Sequence, residues 1–272
     1  MLKLKNCSKS FKKTKALNDF SCEFEHGIYG LLGPNGSGKT TMMRCVCGLL
    51  SQRKGSIECD CENIGYLPQL FGAMKSLTVY ETMVYFATLK KIPKEKQDEE
   101  IKYCLDLVNL VDKIKNKVGS LSGGMVRRLG IAQAIMGNPE IILFDEPTAG
   151  LDPEERVRFK SLLKKIKKDK TIIISTHIVS DVNAVCDDIV IINEGKNVVQ
   201  GTCSDIAAIG KGKVFLLEEK YEDNLEGNYY IKDRTRKDDK NYIIVLSDKP
   251  INKGVSIDAN IEDGYLCALK NL

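Results

Sequence analysis

The sequence predicts an α/β fold in which a parallel sheet is covered by helices, because apolar strand-like segments alternate with helical ones along the chain. Residues 141–144 and 171–176 are strongly apolar, as expected for central strands with both faces buried. The segment between them, residues 153–168, has the spacing of an amphipathic helix, with Pro153 in the first turn, where proline fits. We therefore expect one large α/β domain.

Composition supports this fold class and limits the function. The chain has 272 residues, enough for the large domain and a small appendage, with 43% hydrophobic and 29% charged residues. Its formal net charge of +4 is too small to predict a nucleic-acid partner. The lysine-rich residues 3–15 are interpreted as a solvated edge of the fold, with a phosphate-binding patch as the alternative.

Two further features indicate a reducing compartment. The sequence has neither an apolar signal region at its start nor about 18 consecutive apolar residues that could form a membrane helix, so we expect it to be made in the cytosol and to stay there. Its ten cysteines include two Cys-x-Cys pairs but no Cys-x-x-Cys pair, and only two histidines could assist them. This spacing does not favour a zinc site, so reduced thiols are expected.

The strongest local motif is GPNGSGKT, residues 33–40, which follows a predicted strand (residues 27–32) and precedes a predicted helix that stops near Gly48. It fits the phosphate-binding pattern G-x-x-x-x-G-K-[ST] at every fixed position. Its glycines allow a tight turn whose backbone N–H groups point at phosphate oxygens, and the start of the helix adds positive potential. The motif and the residue after it predict these ATP-binding residues: Gly33, Pro34, Asn35, Gly36, Ser37, Gly38, Lys39, Thr40 and Thr41.

A second group of polar residues follows the predicted central strands. Asp145 and Glu146 come directly after residues 141–144, and His177 comes directly after residues 171–176. Parallel strands place their carboxyl ends, and hence their ligands, at one edge of the sheet. We expect Asp145 to hold Mg²⁺, Glu146 to act as general base on the attacking water, and His177 to contact the γ-phosphate and hold that water.

Two regions depart from the alternating pattern. Residues 77–118 contain two helical segments joined at Pro93 without a strand, which predicts a helical subdomain, about residues 71–135, inserted in the ATPase domain (residues 1–209). From about Gly210 to residue 272, short strand-like runs alternate with charged turns. This pattern predicts a small β-rich C-terminal accessory region.

The segment SLSGGMVRRLGIAQAI, residues 120–135, resembles the signature motif of ABC ATPases. Residues 2–209 carry that family's motifs in its order: Phe11 matches the aromatic residue that stacks on adenine, residues 33–41 the Walker A loop, and Gln69 the Q-loop. Residues 121–125 match the signature, residues 141–146 Walker B, residues 149–152 with Asp152 the D-loop, and His177 the switch histidine. The alternative for Phe11, a lone phenylalanine near a strand, is a core residue.

This resemblance implies an ATPase subunit of an ABC transporter with ATP and Mg²⁺ as its ligands. Thr40, Gln69 and Asp145 would hold the metal. Ser122, Gly123 and Gly124 precede a helix and would form a second anion-binding helix start. One domain cannot wrap its own nucleotide with both helix starts, so two ATPase subunits, identical or related, would pair head to tail around ATP.

The expected partners are integral membrane permease subunits, and the expected location is the cytoplasmic face of the cell membrane. Residues 71–118 would contact the permease, with Phe71, Met74 and Tyr80 as anchors or, equally, as core residues. Met125 in place of glutamine, a short segment between residues 47 and 69, and the tail at residues 260–269 resemble the drug- and peptide-exporter-like branch, which implies export. The alternatives are a non-transport ABC ATPase, such as an iron–sulfur assembly ATPase, and a nucleotide sensor without turnover, which intact Glu146 and His177 oppose.

Overall fold

A computed structural model describes residues 1–61 and 63–272. The strands are β1 (Leu2–Phe11), β2 (Thr14–Phe24), β3 (Gly27–Leu32), β4 (Lys54–Cys59), β5 (Ile64–Leu67), β6 (Ile141–Asp145), β7 (Thr171–Thr176), β8 (Asp188–Asn193), β9 (Lys196–Thr202), β10 (Val214–Glu218), β11 (Tyr229–Lys237), β12 (Lys240–Ser247) and β13 (Val255–Ser256). The helices are α1 (Lys39–Val46), α2 (Val79–Leu89), α3 (Lys94–Leu107), α4 (Gly123–Ile135), α5 (Pro153–Ile166), α6 (Val179–Asn183), α7 (Cys203–Ile209) and α8 (Ile261–Lys270). Short 3₁₀ turns occur at Val111–Lys113, Val118–Ser120 and Glu219–Asn224.

The central sheet has the strand order β5-β6-β7-β3-β8-β9, and all neighbours are parallel except β8 and β9. Strands β6 and β7 are buried along their whole length, as their apolar sequences predict. Their register pairs Asp145 with Ser175, and β3 ends beside β7 at Leu32 and Thr176. The carboxyl ends of β3, β6 and β7 therefore meet at one edge, where the α/β fold class places its ligands.

An antiparallel sheet of order β2-β1-β4 covers the other side of α1. The aromatic residues Phe20 and Phe24 of β2 pack with Met42 and Met43 of α1 in one fully buried cluster. Because α1 lies between two apolar surfaces, its start is held rigidly beside the end of β3.

The helical segments between β5 and β6 begin with strong local signals. Thr78 accepts a hydrogen bond from Glu81 N, and the Glu81 carboxylate accepts one from Thr78 N, which forms a capping box at the start of α2. Helix α3 ends at Leu107, and Asn109 adopts a left-handed conformation (φ 51°) before the chain turns towards α4. These helices pack on β6 and α5 through one large apolar cluster.

The C-terminal residues form a four-stranded antiparallel sheet of order β11-β12-β10-β13. Helices α7 and α8 lie between this sheet and the central sheet. The α8 backbone comes so close to α7 that a Cβ added at Gly264 would lie 1.7 Å from Ile206 O. Only glycine fits at this crossing.

Candidate active site

The phosphate-binding motif forms the loop between β3 and α1 and the first residues of α1. Gly36 and Gly38 have left-handed φ angles of 81° and 113°, and a Cβ at Gly38 would lie 2.3 Å from Ala16 O. Gly33 has ordinary φ, but a Cβ there would lie 2.2 Å from Ile192 O. Gly38 is therefore required for both conformation and space, whereas Gly33 is required for the close approach of β8.

Lys39 is the first residue of α1 and is only 6% exposed. Its Nζ donates hydrogen bonds to Gly33 O at 2.6 Å and Pro34 O at 3.1 Å. Burial lowers the pKa of this amine, and the negative charges of Glu146 and Asp145 oppose that shift. The Lys39 ammonium group therefore lies inside the loop whose backbone N–H groups are expected to bind phosphate.

The end of β6 supplies the two predicted carboxylates. Asp145 is fully buried, and its Oδ1 accepts a hydrogen bond from Ser175 Oγ at 2.6 Å. Its Oδ2 has no hydrogen-bond partner among the residues that the structure describes. Glu146 is also buried and has a left-handed φ of 50°. This conformation costs energy in a residue other than glycine and is often found at functional sites.

His177 follows β7 at the same sheet edge. Its Nδ1 lies 3.1 Å from Glu146 Oε1, although its side chain is about half exposed. The side chain that we expected to hold water and the carboxylate that we expected to activate it are therefore in direct contact.

Sequence reasoning missed Arg127, which organises this edge from α4. The buried guanidinium donates hydrogen bonds to five backbone carbonyls, those of Pro68, Gln69, Asp145, Glu146 and Pro147. Burial lowers its pKa, against the charges of Asp145 and Glu146. Arg127 thereby joins the loop that carries Gln69 to the loop that carries Glu146. No sequence pattern could reveal this role, because backbone carbonyls occur at every position.

One cleft of about 410 Å³ brings eight of the predicted residues together. Its walls include Asn35, Gly36, Gly38, Lys39, Thr40, Thr41, Gln69 and Glu146, and also Ala16, which was not predicted. Asp145 lies directly behind it at the end of β6. The cleft therefore lies at the edge of the sheet where Asp145, Glu146 and His177 are found.

Several predicted residues lie outside the cleft. Ser122 caps α4 and accepts a hydrogen bond from Met125 N, and it lies on the surface with Gly123. Asp152 caps α5 and accepts a hydrogen bond from Glu155 N at 2.9 Å. Phe11, at the end of β1, is 44% exposed with Lys9 Nζ 5.5 Å from its ring centroid. These side chains are available to a second molecule or to a nucleotide base.

The fold and this cleft define a P-loop nucleotide-binding protein. The model of the ABC transporter family matches residues 17–149. Across 257 residues, the chain is 33% identical to the uncharacterized ABC transporter ATP-binding protein YxlF of Bacillus subtilis, with 91% of this chain and 87% of that protein covered. The chain belongs to the ABC transporter ATP-binding proteins: it is an ATP-binding subunit of an ABC transporter and an ATPase.

Two further relatives are named for opposite directions of transport. The methionine import ATP-binding protein MetN of Mannheimia succiniciproducens is 34% identical over 85% of this chain and 74% of its own. The Nod factor export ATP-binding protein I of Burkholderia lata is 33% identical over 72% of this chain and 69% of its own.

Solved structures agree with the fold. The dimeric bacterial ABC transporter cassette MJ0796 superposes with a TM-score of 0.69 at 27% identity, over 74% of this chain and 98% of that one. A post-hydrolysis dimer of MJ0796 bound to ADP and Pi superposes with a TM-score of 0.68 at the same identity and coverage. ABC ATP-binding proteins of this family dimerise and work with membrane permease subunits. No helix in residues 1–61 and 63–272 has the length and apolarity to cross a membrane.

Proposed function

We propose that this chain hydrolyses ATP as one member of a head-to-tail pair of ATPase subunits, and that the pair drives export through permease subunits from the cytoplasmic face of the membrane. One observation carries the proposal. The cleft at the start of α1 holds Lys39 and Glu146, whereas Ser122 and Gly123 at the start of α4 lie on the surface of the same chain. A second copy would supply its α4 start to this cleft and complete the enclosure of the triphosphate.

Asp145, Thr40 and Gln69 fit a magnesium ion. The buried Asp145 Oδ2 faces no hydrogen-bond donor among the described residues, which is unfavourable for a carboxylate unless a cation or water lies near it. Carboxylate, hydroxyl and amide oxygens are the ligands that Mg²⁺ prefers. When bound, the ion neutralises charge on the β- and γ-phosphates.

Glu146 is the general base in this proposal. Its carboxylate takes a proton from a water molecule whose oxygen forms a bond to the γ-phosphorus while the bond from that phosphorus to the ADP oxygen breaks. Lys39 stabilises the negative charge on the β- and γ-phosphates during this step. His177, 3.1 Å from Glu146 Oε1, orients the carboxylate and the water. The products are ADP and inorganic phosphate.

The assembly with a permease would use the surface around the start of α2. Leu70 is 89% exposed and Met74 is 43% exposed, while Tyr80 is 37% exposed and donates a hydrogen bond to Asp98. Phe71 instead packs against Phe86, with ring centroids 5.9 Å apart. We therefore assign Leu70, Met74 and Tyr80 to the permease contact and Phe71 to the support beneath it, because exposed apolar side chains are energetically valuable when a partner buries them.

The domain limits and the direction are also part of the proposal. We assign the ATPase domain to residues 1–209, its helical subdomain to about residues 71–135, and the accessory region to residues 210–272. Export is supported by similarity to the Nod factor export protein and by the resemblance of residues 260–269 to the exporter-like branch, although a methionine importer is equally similar in sequence.

Charge substitution tests the permease contact. In Met74→Glu with Tyr80→Glu, the chain should retain ATP but lose the membrane subunit that co-purifies with the parent. Tyr103→Glu is the matched control, since Tyr103 is also exposed but lines a different cleft, together with Asn138. Unchanged association in the double variant would reject this surface. The number and arrangement of membrane helices in the captured subunit would test the direction of transport.

A further inference from the structure

The position of His177 depends on helix α6, because this helix begins only two residues after His177. It is only five residues long, so its own hydrogen bonds cannot fix its place. Val182 is fully buried and approaches β3 where Gly30 leaves room, since a Cβ at Gly30 would lie 2.7 Å from Val182 Cγ1. On the other side, the Asp181 carboxylate accepts a hydrogen bond from Thr148 at 2.6 Å.

Arg156 and Lys160 of α5 also contact α6, at Asp181 and at the carbonyl of Ser180, and further support comes from the C-terminal helix. Ile261 and Tyr265, one turn apart on α8, belong to the same buried cluster as Val179 and Val182 of α6. His177 itself lies on the wall of a cleft of about 480 Å³ whose opposite wall is the start of α8. A segment of the accessory region thus packs directly behind the residue that we place at the γ-phosphate.

Helix α8 also packs against the accessory sheet, through a different face. Cys267 lies in a second buried cluster with Val214 of β10 and Leu246 of β12. Lys232 of β11 pairs with Asp263 at 2.6 Å and with Glu262 at 3.0 Å, which ties the sheet to the first turn of α8. Helix α8 is therefore held by the accessory sheet on one face and packs on α6 through another.

We propose that Ile261 and Tyr265 of α8 are positioning residues for ATP hydrolysis, which hold α6 so that His177 stays beside Glu146. This inference rests on the proposed function, since it requires His177 to act in hydrolysis. Loss of the α8 side chains lets α6 and the residues before it shift towards the space that opens. His177 then leaves its position next to Glu146, while the phosphate-binding loop is untouched.

Single-turnover and steady-state hydrolysis by the full chain test the proposal. Tyr265→Ala should lower kcat by about tenfold or more, because small displacements of catalytic groups are costly, and should leave the Kd for ATP within about twofold of the parent. Ile261→Ala should act in the same direction with less disturbance. Tyr265→Phe keeps the packed ring and should restore the parent kcat.

A matched control separates positioning from general loss of stability. Val214→Ala removes a buried aliphatic group of β10, in the cluster that packs on the other face of α8. It should lower the thermal midpoint while kcat stays at the parent value. An equal loss of kcat in Val214→Ala would overturn the proposal. So would a parent kcat in both Tyr265→Ala and Ile261→Ala.

A double variant tests whether Tyr265 affects hydrolysis through His177. If Tyr265 acts through His177, adding Tyr265→Ala to His177→Ala should lower kcat no further, whereas independent effects would multiply. Multiplied losses would contradict the proposal even when each single variant is slow. A parent rate in His177→Ala alone is a different result, since it would remove the proposed role of His177 itself.

Discussion

The starts of α1 and α4 are alike in chemistry but differ in their surroundings. Each follows a glycine-containing turn and has no acidic residue in its first turn, so each offers backbone N–H groups and positive potential to an anion. The α1 start lies in a cleft that also contains Glu146, and its Lys39 is buried. At the α4 start, a Cβ added to Gly123 would meet no atom of the described residues within 4 Å.

This difference separates two kinds of anion site. The α1 start has the proposed catalytic groups within the same chain, so we expect it to bind nucleotide alone. The α4 start has space for a ligand but no catalytic group beside it, so its chemistry becomes useful only against the cleft of another subunit. Variants at the two helix starts are therefore expected to lose activity at different stages, nucleotide binding for α1 and dimerisation for α4.

The largest effect is expected from Glu146→Gln. The amide cannot accept the proton from water, so hydrolysis should slow by about 10²–10⁴-fold while ATP binding persists. Because both helix starts remain intact, the variant should accumulate as an ATP-dependent dimer, which sedimentation with and without Mg·ATP would detect. Hydrolysis at the parent rate would show that Glu146 is not the base.

Next in size is Lys39→Ala, which changes the α1 start. Loss of charge-assisted hydrogen bonds of about 1.5–3 kcal/mol should weaken ATP binding roughly 10–150-fold, and dimerisation should be lost with it. Titration with a fluorescent ATP analogue measures the affinity. Parent-level binding would contradict the placement of the triphosphate at this loop.

A smaller change in nucleotide binding is expected from Gly123→Asp, at the α4 start. An acidic residue in the first turn suits the helix itself, so folding should be preserved. The carboxylate should repel the phosphate of the opposing subunit, since like charges about 4 Å apart cost on the order of 4 kcal/mol at an effective dielectric constant of 20. The monomer should still bind ATP, whereas the Glu146→Gln dimer should fail to form when this change is added.

The smallest effect is expected from Ser122→Ala. Loss of the hydrogen bond from Met125 N should cost about 1 kcal/mol at the start of α4. Denaturant unfolding measures the stability change, and sedimentation measures dimerisation. A dimer defect as large as that of Gly123→Asp would mean that the hydroxyl group contacts nucleotide strongly, in addition to capping the helix.

Much of the candidate site could be located from the sequence because its chemistry constrains sequence locally. The glycines of residues 33–38 are needed where a backbone turns tightly or meets Ala16 O and Ile192 O, and the carboxylates must end a buried strand. Strand limits at residues 27–32 and 171–176 agreed with the structure because burial of both faces leaves an apolar run without charged residues.

Other features depend on contacts between distant segments, which leave no local pattern. Arg127 donates hydrogen bonds to carbonyls of two distant segments, residues 68–69 and 145–147, and Ser175 of β7 donates one to Asp145 of β6. The packing of Tyr265 behind α6 joins residues more than 80 positions apart, so only the folded chain reveals it. The end of α3 at Leu107 likewise depends on the left-handed conformation of Asn109, which no sequence pattern indicated.

Complementation tests most directly whether one active site is built from two chains. Lys39→Ala retains an intact α4 start, and Gly123→Asp retains an intact cleft, so each should hydrolyse ATP poorly alone. An equimolar mixture should recover hydrolysis well above the sum of the two, because mixed dimers contain one cleft that faces one unaltered α4 start. A mixture that forms mixed dimers but gains no activity would contradict the account.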